Sequence, residues 1–237
     1  MKKSVSLLSA FFGLLSVAGL AQTTNPTVAM EQVINGPFAN ATLRPFNLSE
    51  TALKGNPMAL ADWAPGTLTF KSGNIIANAL FNYDALNQEL WVKRSARDSA
   101  RYAVAGIKSV VIQSADNEQP VRYEHLADVV TDEMALKTGL VRVVYRGAYS
   151  LVQLPVKRFY KAPAKQPYGN TQVFDEFRDE SAYFIIRPDK TAERVKLNRK
   201  ALAGALQSKG AAFETVLKDK KLDAKVEADV ATALGAL

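Results

Sequence analysis

The chain of 237 residues contains no cysteine and a single histidine, His125. Without cysteine there is no disulfide, no thiol nucleophile, no zinc–thiolate site and no lipid attachment of the lipoprotein type. One histidine excludes any two-histidine metal site, and a Ser–His–Asp relay would have to pass through His125. Alternation puts the neighbouring Glu124 on the opposite strand face, so His125 is expected to be an ordinary, partly exposed strand residue. The chain also lacks a Gly-x-Ser-x-Gly elbow, a Gly-x-Gly turn, a P-loop and a calcium loop of alternating acids. No cofactor, no metal site and no catalytic residue are therefore expected. Disorder throughout is excluded by composition, because 48% of the chain is apolar.

Acidic residues are missing from the first thirty positions, the first being Glu31. Lys2 and Lys3 precede an apolar run from Val5 to Ala18, and Gly19-Leu20-Ala21 offers small residues where a signal peptidase cuts. Residues 1–21 thus read as a signal peptide, with cleavage before Gln22. The run is shorter than the roughly 20 residues that cross a bilayer, and no later stretch is apolar enough to span. A periplasmic, cell-surface or extracellular location follows, with no transmembrane segment once the leader is gone. Cleavage would leave 216 residues, enough for one ample core or two small ones, carrying 28 basic and 23 acidic side chains, a net charge of +5.

A second stretch without acids runs from Lys137 to Phe174. It holds Lys137, Arg142, Arg146, Lys157, Arg158, Lys161 and Lys165, so the rest of the mature chain is −2.

What is present is mostly strand pattern. Residues 22–62 form a lead-in rich in Asn, Thr and Pro without a sustained period, expected to be partly disordered. From Trp63 the pattern is that of strands: polar and apolar residues alternate over Gly66–Lys71 and Glu89–Lys93, Ile75–Tyr83 is a long branched and aromatic run, and further runs follow at Ile107–Gln113 and Val121–Leu126, with a polar loop at Ser114–Pro120. The clearest hairpin is Leu140–Leu154, with a two-residue turn at Arg146-Gly147. That register puts Val141, Val143, Tyr145, Ala148, Val152 and Leu154 on one face and Leu140, Arg142, Tyr149 and Gln153 on a more mixed one. Val156–Tyr160 extends the sheet past Pro155, and Tyr183–Arg187 and Arg194–Leu197 make the last hairpin. After Asn198, a predicted N-cap, the period becomes helical. A helix through Leu202 and Leu206 is expected to stop at Gly210. Phe213, Val216 and Leu217 mark a second helix, and Val226, Val230 and Leu234 a third capped by Asp223. The fold class is mainly β (α+β): an antiparallel meander, sandwich- or barrel-like, over residues 63–197, with a helical tail over 198–237 packed on the sheet.

Two groups of side chains are candidates for chemistry. Asp175-Glu176 and Asp179-Glu180 could present paired carboxylates as glycosidases do, but crowded acids beside Phe174 and Phe177 suit a solvated loop or a short helix better. The basic segment is the stronger candidate. Arg142, Lys157, Arg158, Lys161 and Lys165, with Tyr160, combine charge and stacking in a way that suits an anionic partner. Outside the cytoplasm such a partner is an anionic envelope polymer or another envelope protein, and nucleic acid is not expected. The plainer alternative is a solvated sheet face whose lysines discourage edge pairing. Trp63, Tyr83 and Trp91 are expected in the core.

Two stretches and the tail resemble uncharacterised secreted β-rich proteins of Bacteroidota. The first is Gly66–Arg94, where Leu80-Phe81-Asn82-Tyr83-Asp84 leads into Glu89-Leu90-Trp91-Val92. The second is Leu140–Leu154, where Val143-Val144-Tyr145-Arg146-Gly147 precedes Tyr149-Ser150-Leu151. The tail around Asn198–Leu202 and Lys220–Leu222 is similar as well. The resemblance implies a periplasmic or surface location and no assigned activity. The expected function is an exported, non-enzymatic binding or structural module of the cell envelope. Two alternatives are a carboxylate-dependent hydrolase of envelope polysaccharide and a periplasmic sensor or adaptor domain, the latter requiring a sizeable exposed apolar patch.

Overall fold

The computed structural model describes residues 53–93, 95, 98–113, 119–162 and 174–237. The expected signal peptide, the lead-in before residue 53, most of the Ser114–Pro120 loop, and Lys165 lie outside the described residues.

The protein is mainly β, as its alternation requires. One sheet has ten strands in the order β13-β12-β9-β8-β7-β6-β2-β3-β4-β5, and every pairing in it is antiparallel. Its members are β2 (Ala64–Phe70), β3 (Ile75–Asp84), β4 (Glu89–Lys93), β5 (Ser99–Ala103), β6 (Ile107–Ile112), β7 (Val121–Glu124), β8 (Val141–Tyr145), β9 (Ser150–Leu154), β12 (Ala182–Ile186) and β13 (Ala192–Val195). A three-stranded sheet joins β1 (Leu53–Lys54), β11 (Asp175–Asp179) and β10 (Lys157–Tyr160). A short helix, α1 (Met134–Thr138), precedes β8, and the tail forms α2 (Arg199–Ala205), α3 (Gly210–Asp219) and α4 (Glu227–Leu234).

The large sheet is coiled. Five strand spacings separate β3 from β9, roughly 24 Å in a flat sheet. Yet Lys157 N, just past β9, donates to Ala85 O at the end of β3 (3.1 Å), and Gln88 Nε2 donates to Pro155 O (3.1 Å). Tyr83 of β3 and Tyr123 of β7 face each other with ring centroids 6.2 Å apart. Strand twist of one hand, accumulated over many strands, produces this closure. Tyr83 holds it: its hydroxyl donates to Gln88 Oε1 (2.7 Å) and accepts from Leu140 N (2.9 Å) in a fully buried site.

Strands β8, β9 and β12 bury both faces. On one, Val141, Val152, Leu154 and Phe184 pack with Val129 and Leu136 of the α1 region. On the other, Leu151, Ile185 and Val195 receive Leu202, Leu206, Phe213, Leu217 and Val230 of the tail. Each tail helix is too short to be stable alone, and docking on the sheet supplies its stability.

Five local expectations are corrected. The β8–β9 loop runs from Arg146 to Tyr149 rather than turning at two residues. A bulge at Val144 then carries Tyr145 to the tail-covered face, while Ala148 lies exposed in the loop. Residues Lys157–Tyr160 leave the large sheet after Pro155 and pair with β11. The Asp175–Asp179 run is a strand, not a loop or helix, with Asp175 and Phe177 buried. Gly210 begins α3 instead of ending α2, and α4 is capped by Val226, with Asp223 accepting from Lys225 N just upstream.

Candidate functional site: a polar cleft between the two sheets

A row of directly opposed residues crosses four strands: Tyr123 on β7, Arg142 on β8, Gln153 on β9 and Tyr183 on β12. Directly opposed residues share a sheet face, and this face continues inward to Val110 and Leu68 and outward to Val195. Apolar side chains therefore fill the coil at one end, and the tail covers the other. Between them a polar strip is left.

Arg142 anchors that strip. Its Nε donates to Gln153 Oε1 (2.7 Å), and its terminal nitrogens meet both carboxylate oxygens of Glu227, in the first turn of α4 (2.9 Å for Nη1–Oε2). The Tyr183 hydroxyl donates to the same carboxylate, and Gln153 Nε2 donates to Tyr183 (3.4 Å). Burial acts against the Glu227 charge, but the Arg142 and Tyr183 hydrogen bonds outweigh it and hold the carboxyl below its ordinary range. Arg142 is likewise desolvated, and its bond to Glu227 prevails, raising its pKa. Burial, then the bond to Glu227, push the Tyr183 hydroxyl up to about 12. Burial also raises Tyr123, against the opposing pull of Arg142.

Beside the strip opens a cleft of about 230 Å³, lined by Leu60, Tyr123, Arg142, Gln153, Lys157 and Asp179 among others. Its rim comes from the segment ahead of β2, where buried Asn82 accepts from Leu60 N (3.2 Å) and donates to Leu60 O (3.2 Å). Its floor passes from the large sheet to the small one, where Lys157 Nζ meets Asp179 Oδ2 at 3.0 Å. Burial would raise the Asp179 carboxyl, yet bonds from Ser181 and Lys157 hold it below the usual value.

Among the predicted binding residues, Arg142 and Lys157 thus meet in one cleft. Arg158 and Tyr160 are on the other side of the β10–β11 pair: Arg158 Nε is 2.7 Å from Glu180, Tyr160 donates to Glu180, and Arg178 lies 4.4 Å over the Tyr160 ring. Lys161 is exposed just past β10. Arg146 pairs with Glu124. Acids distant in sequence thus neutralise much of a segment that holds none itself.

Sequence reasoning does not find Glu227, Tyr183 or Gln153. Gln153 opposite Arg142 is readable from a correct register, but Glu227 stands 85 positions away and carries no local signal. The acidic run proves to be the counter-charge of the basic one, visible only once β10 and β11 are paired. His125, half-buried after β7, meets Lys137 O through Nε2 (2.7 Å) and lies outside the cleft lining. The described residues contain no group of three potential metal ligands and no helix long and apolar enough to cross a membrane. Compared with known protein families, characterised proteins and solved structures, the chain matches none.

Proposed function

We propose that the mature chain is an exported, non-enzymatic binding module of the bacterial cell envelope, and that its cleft holds a hydroxyl-bearing sugar segment of an envelope polymer. The leader and the resemblance to secreted Bacteroidota proteins support the location. The observation that carries the ligand class is that charges in the cleft come in pairs. Arg142 is matched by Glu227 and Lys157 by Asp179, with Gln153, Ser181 and Tyr123 between them. Paired charges attract a free anion weakly, but they present donors and acceptors side by side, as sugar hydroxyls require. About 230 Å³ is below the roughly 300–1,000 Å³ of drug-sized pockets, room for about one sugar ring.

The hydrolase reading is weaker on this geometry. Glycoside hydrolysis needs two carboxyls, one of them kept protonated. Asp179 is the one acid among the described residues lining the cleft, and bonds from Ser181 and Lys157 lower its pKa against burial, the opposite of the upward shift a general acid needs.

Titration of the mature protein with neutral and uronic-acid oligosaccharides, followed by NMR, tests this. Neutral sugars should shift amides of β8, β9 and β11, and Gln153→Leu should weaken them about tenfold. Shifts confined to other elements, or hydrolysis products accumulating during the titration, would overturn the reading. N-terminal sequencing of protein from the native envelope should begin at Gln22.

A further inference from the structure

The tail holds a second concentration of cations, outside the acid-free segment. From Arg194 to Lys225 there are nine basic residues (Arg194, Lys196, Arg199, Lys200, Lys209, Lys218, Lys220, Lys221, Lys225) and three acids (Glu214, Asp219, Asp223), a net +6. Interspersed acids break up the run, so it does not stand out on a linear reading. In the fold, a groove of about 380 Å³ opens where the start of α2 meets the turn between α3 and α4, and Arg199, Lys221 and Lys225 line it with Asn198 and Asp223. No carboxylate of the described residues forms an ion pair with any of these three cations. The acids of the turn accept from its own backbone N–H groups. Asp223 Oδ1 accepts from Lys225 N (2.9 Å), and Asp229 Oδ2 accepts from Asp223 N (2.8 Å).

Lys221 is held by a defined helix end. It closes α3 in a left-handed conformation, φ 54°, with Lys221 N donating to Lys218 O (3.2 Å) and Leu222 N to Leu217 O (2.8 Å). That bond pattern is the Schellman motif, and its left-handed position is normally glycine because a Cβ there is strained by roughly 1 kcal/mol. The helix dipole accounts for cations in the last turn, where Lys218 stands. It does not require a lysine at the strained position. Asn78, Gln88, Lys190 and Gln207 share a positive φ among the described residues, so the conformation fixes where the Lys221 side chain leaves the backbone and carries no role by itself.

We infer that this groove is a phosphate-binding site, with Arg199 as the planar, two-pronged donor and Lys221 and Lys225 as flanking point charges. Its ligand is a phosphate ester, carried either on a lipid headgroup or on a free phosphorylated metabolite. The site is separate from the cleft, and either can fail without the other.

The test uses mature protein, inorganic phosphate, glycerol 3-phosphate, and vesicles of phosphatidylglycerol or phosphatidylcholine. Phosphate should shift amides at 198–200 and 221–225 in NMR spectra at low salt, and the shifts should shrink as NaCl screens them. Lys221→Gly should weaken binding at least about fivefold while its Tm stays level or rises, which separates lost charge from lost folding. Arg199→Gln should weaken binding at least about tenfold, and Gln153→Leu in the cleft should leave it unchanged. Co-sedimentation with phosphatidylglycerol vesicles only, abolished in both groove variants, identifies the lipid source. Binding of glycerol 3-phosphate without vesicle binding identifies the soluble one. Shifts spread over all exposed lysines, no shift at all, or Lys221→Gly binding as tightly as the wild type would overturn the site.

Discussion

At the scale of single residues, buried polar groups hold the coil together. The Tyr83 hydroxyl satisfies Leu140 N, 57 positions away, at the far side of the sheet. Tyr83→Phe keeps the ring but leaves that buried N–H without its acceptor and should cost about 1–3 kcal/mol, measured by urea denaturation. A loss below a few tenths would mean that water replaces the hydroxyl. His125 gives a pH signature that belongs to it alone, since the chain has no other histidine. Burial lowers its pKa, the Lys137 carbonyl opposes this, and Lys71 adds to the lowering. The unfolded chain therefore binds more protons than the native one as pH falls below about 6.5. The stabilisation tied to neutral His125 is complete above that value and is lost as pH falls through the folded pKa. His125→Gln retains a donor for the Lys137 carbonyl and should shrink the fall in Tm between pH 7 and 5. An unchanged fall would assign the effect to carboxylates.

At the scale of elements, the tail shows how local signals and packing divide the work. Asn198 was legible as an N-cap, and its side chain does accept from Ala201 N (2.9 Å). The Leu202, Phe213, Leu217 and Val230 pattern was legible too, and all four are buried. Gly210 read as a stop because glycine disfavours helices, whereas its role is steric. A Cβ at that position would run into the Ala203 carbonyl, so the glycine lets α3 start hard against α2. Gly210→Ala should therefore destabilise by about 1–3 kcal/mol through overpacking, against the gain expected of alanine in an ordinary helix. A rise in Tm would refute the close approach. Strand β11 was misread for a related reason: the four acids of residues 175–180 look like solvated surface until Asp179 and Glu180 meet Lys157 and Arg158, while Asp175 is buried accepting from Ala162 N (2.8 Å).

At the scale of the whole molecule, the Arg142–Glu227 pair links the sheet to the last helix. Glu227 has a folded pKa below its unfolded one, so its stabilisation is present above about pH 4.3 and is lost as pH falls through the lower folded value. Tyr183, raised to about 12, acts at the other end: its contribution is complete below about pH 10 and is lost as pH rises through 12. Glu227→Gln should lower Tm at pH 7, because Arg142 then loses its charged partner, and should flatten the fall in Tm from pH 6 to 3. Thermal melts across that range would show it, and parallel acid limbs for both proteins would sink it. Of the exposed large apolar residues, Ile75 and Leu80 share β3, while Val130, Met134, Phe159 and Val226 lie on other segments.

By itself the amino-acid sequence determined the elements: where alternation changes to helical period, which residues are apolar at each step, and that cysteine and paired-histidine chemistry are closed to this chain. Those features follow from local sterics and side-chain transfer, which act within a few residues. Tertiary structure alone decided which charges stay available. Coiling of the ten strands, departure of β10 and β11 into a second sheet, and docking of α4 bring acids to the basic segment, while Arg199, Lys221 and Lys225 at the groove have no ion-pair partner among the described residues. Charges interact through space and not along the chain, so their balance could not be read before the fold was known.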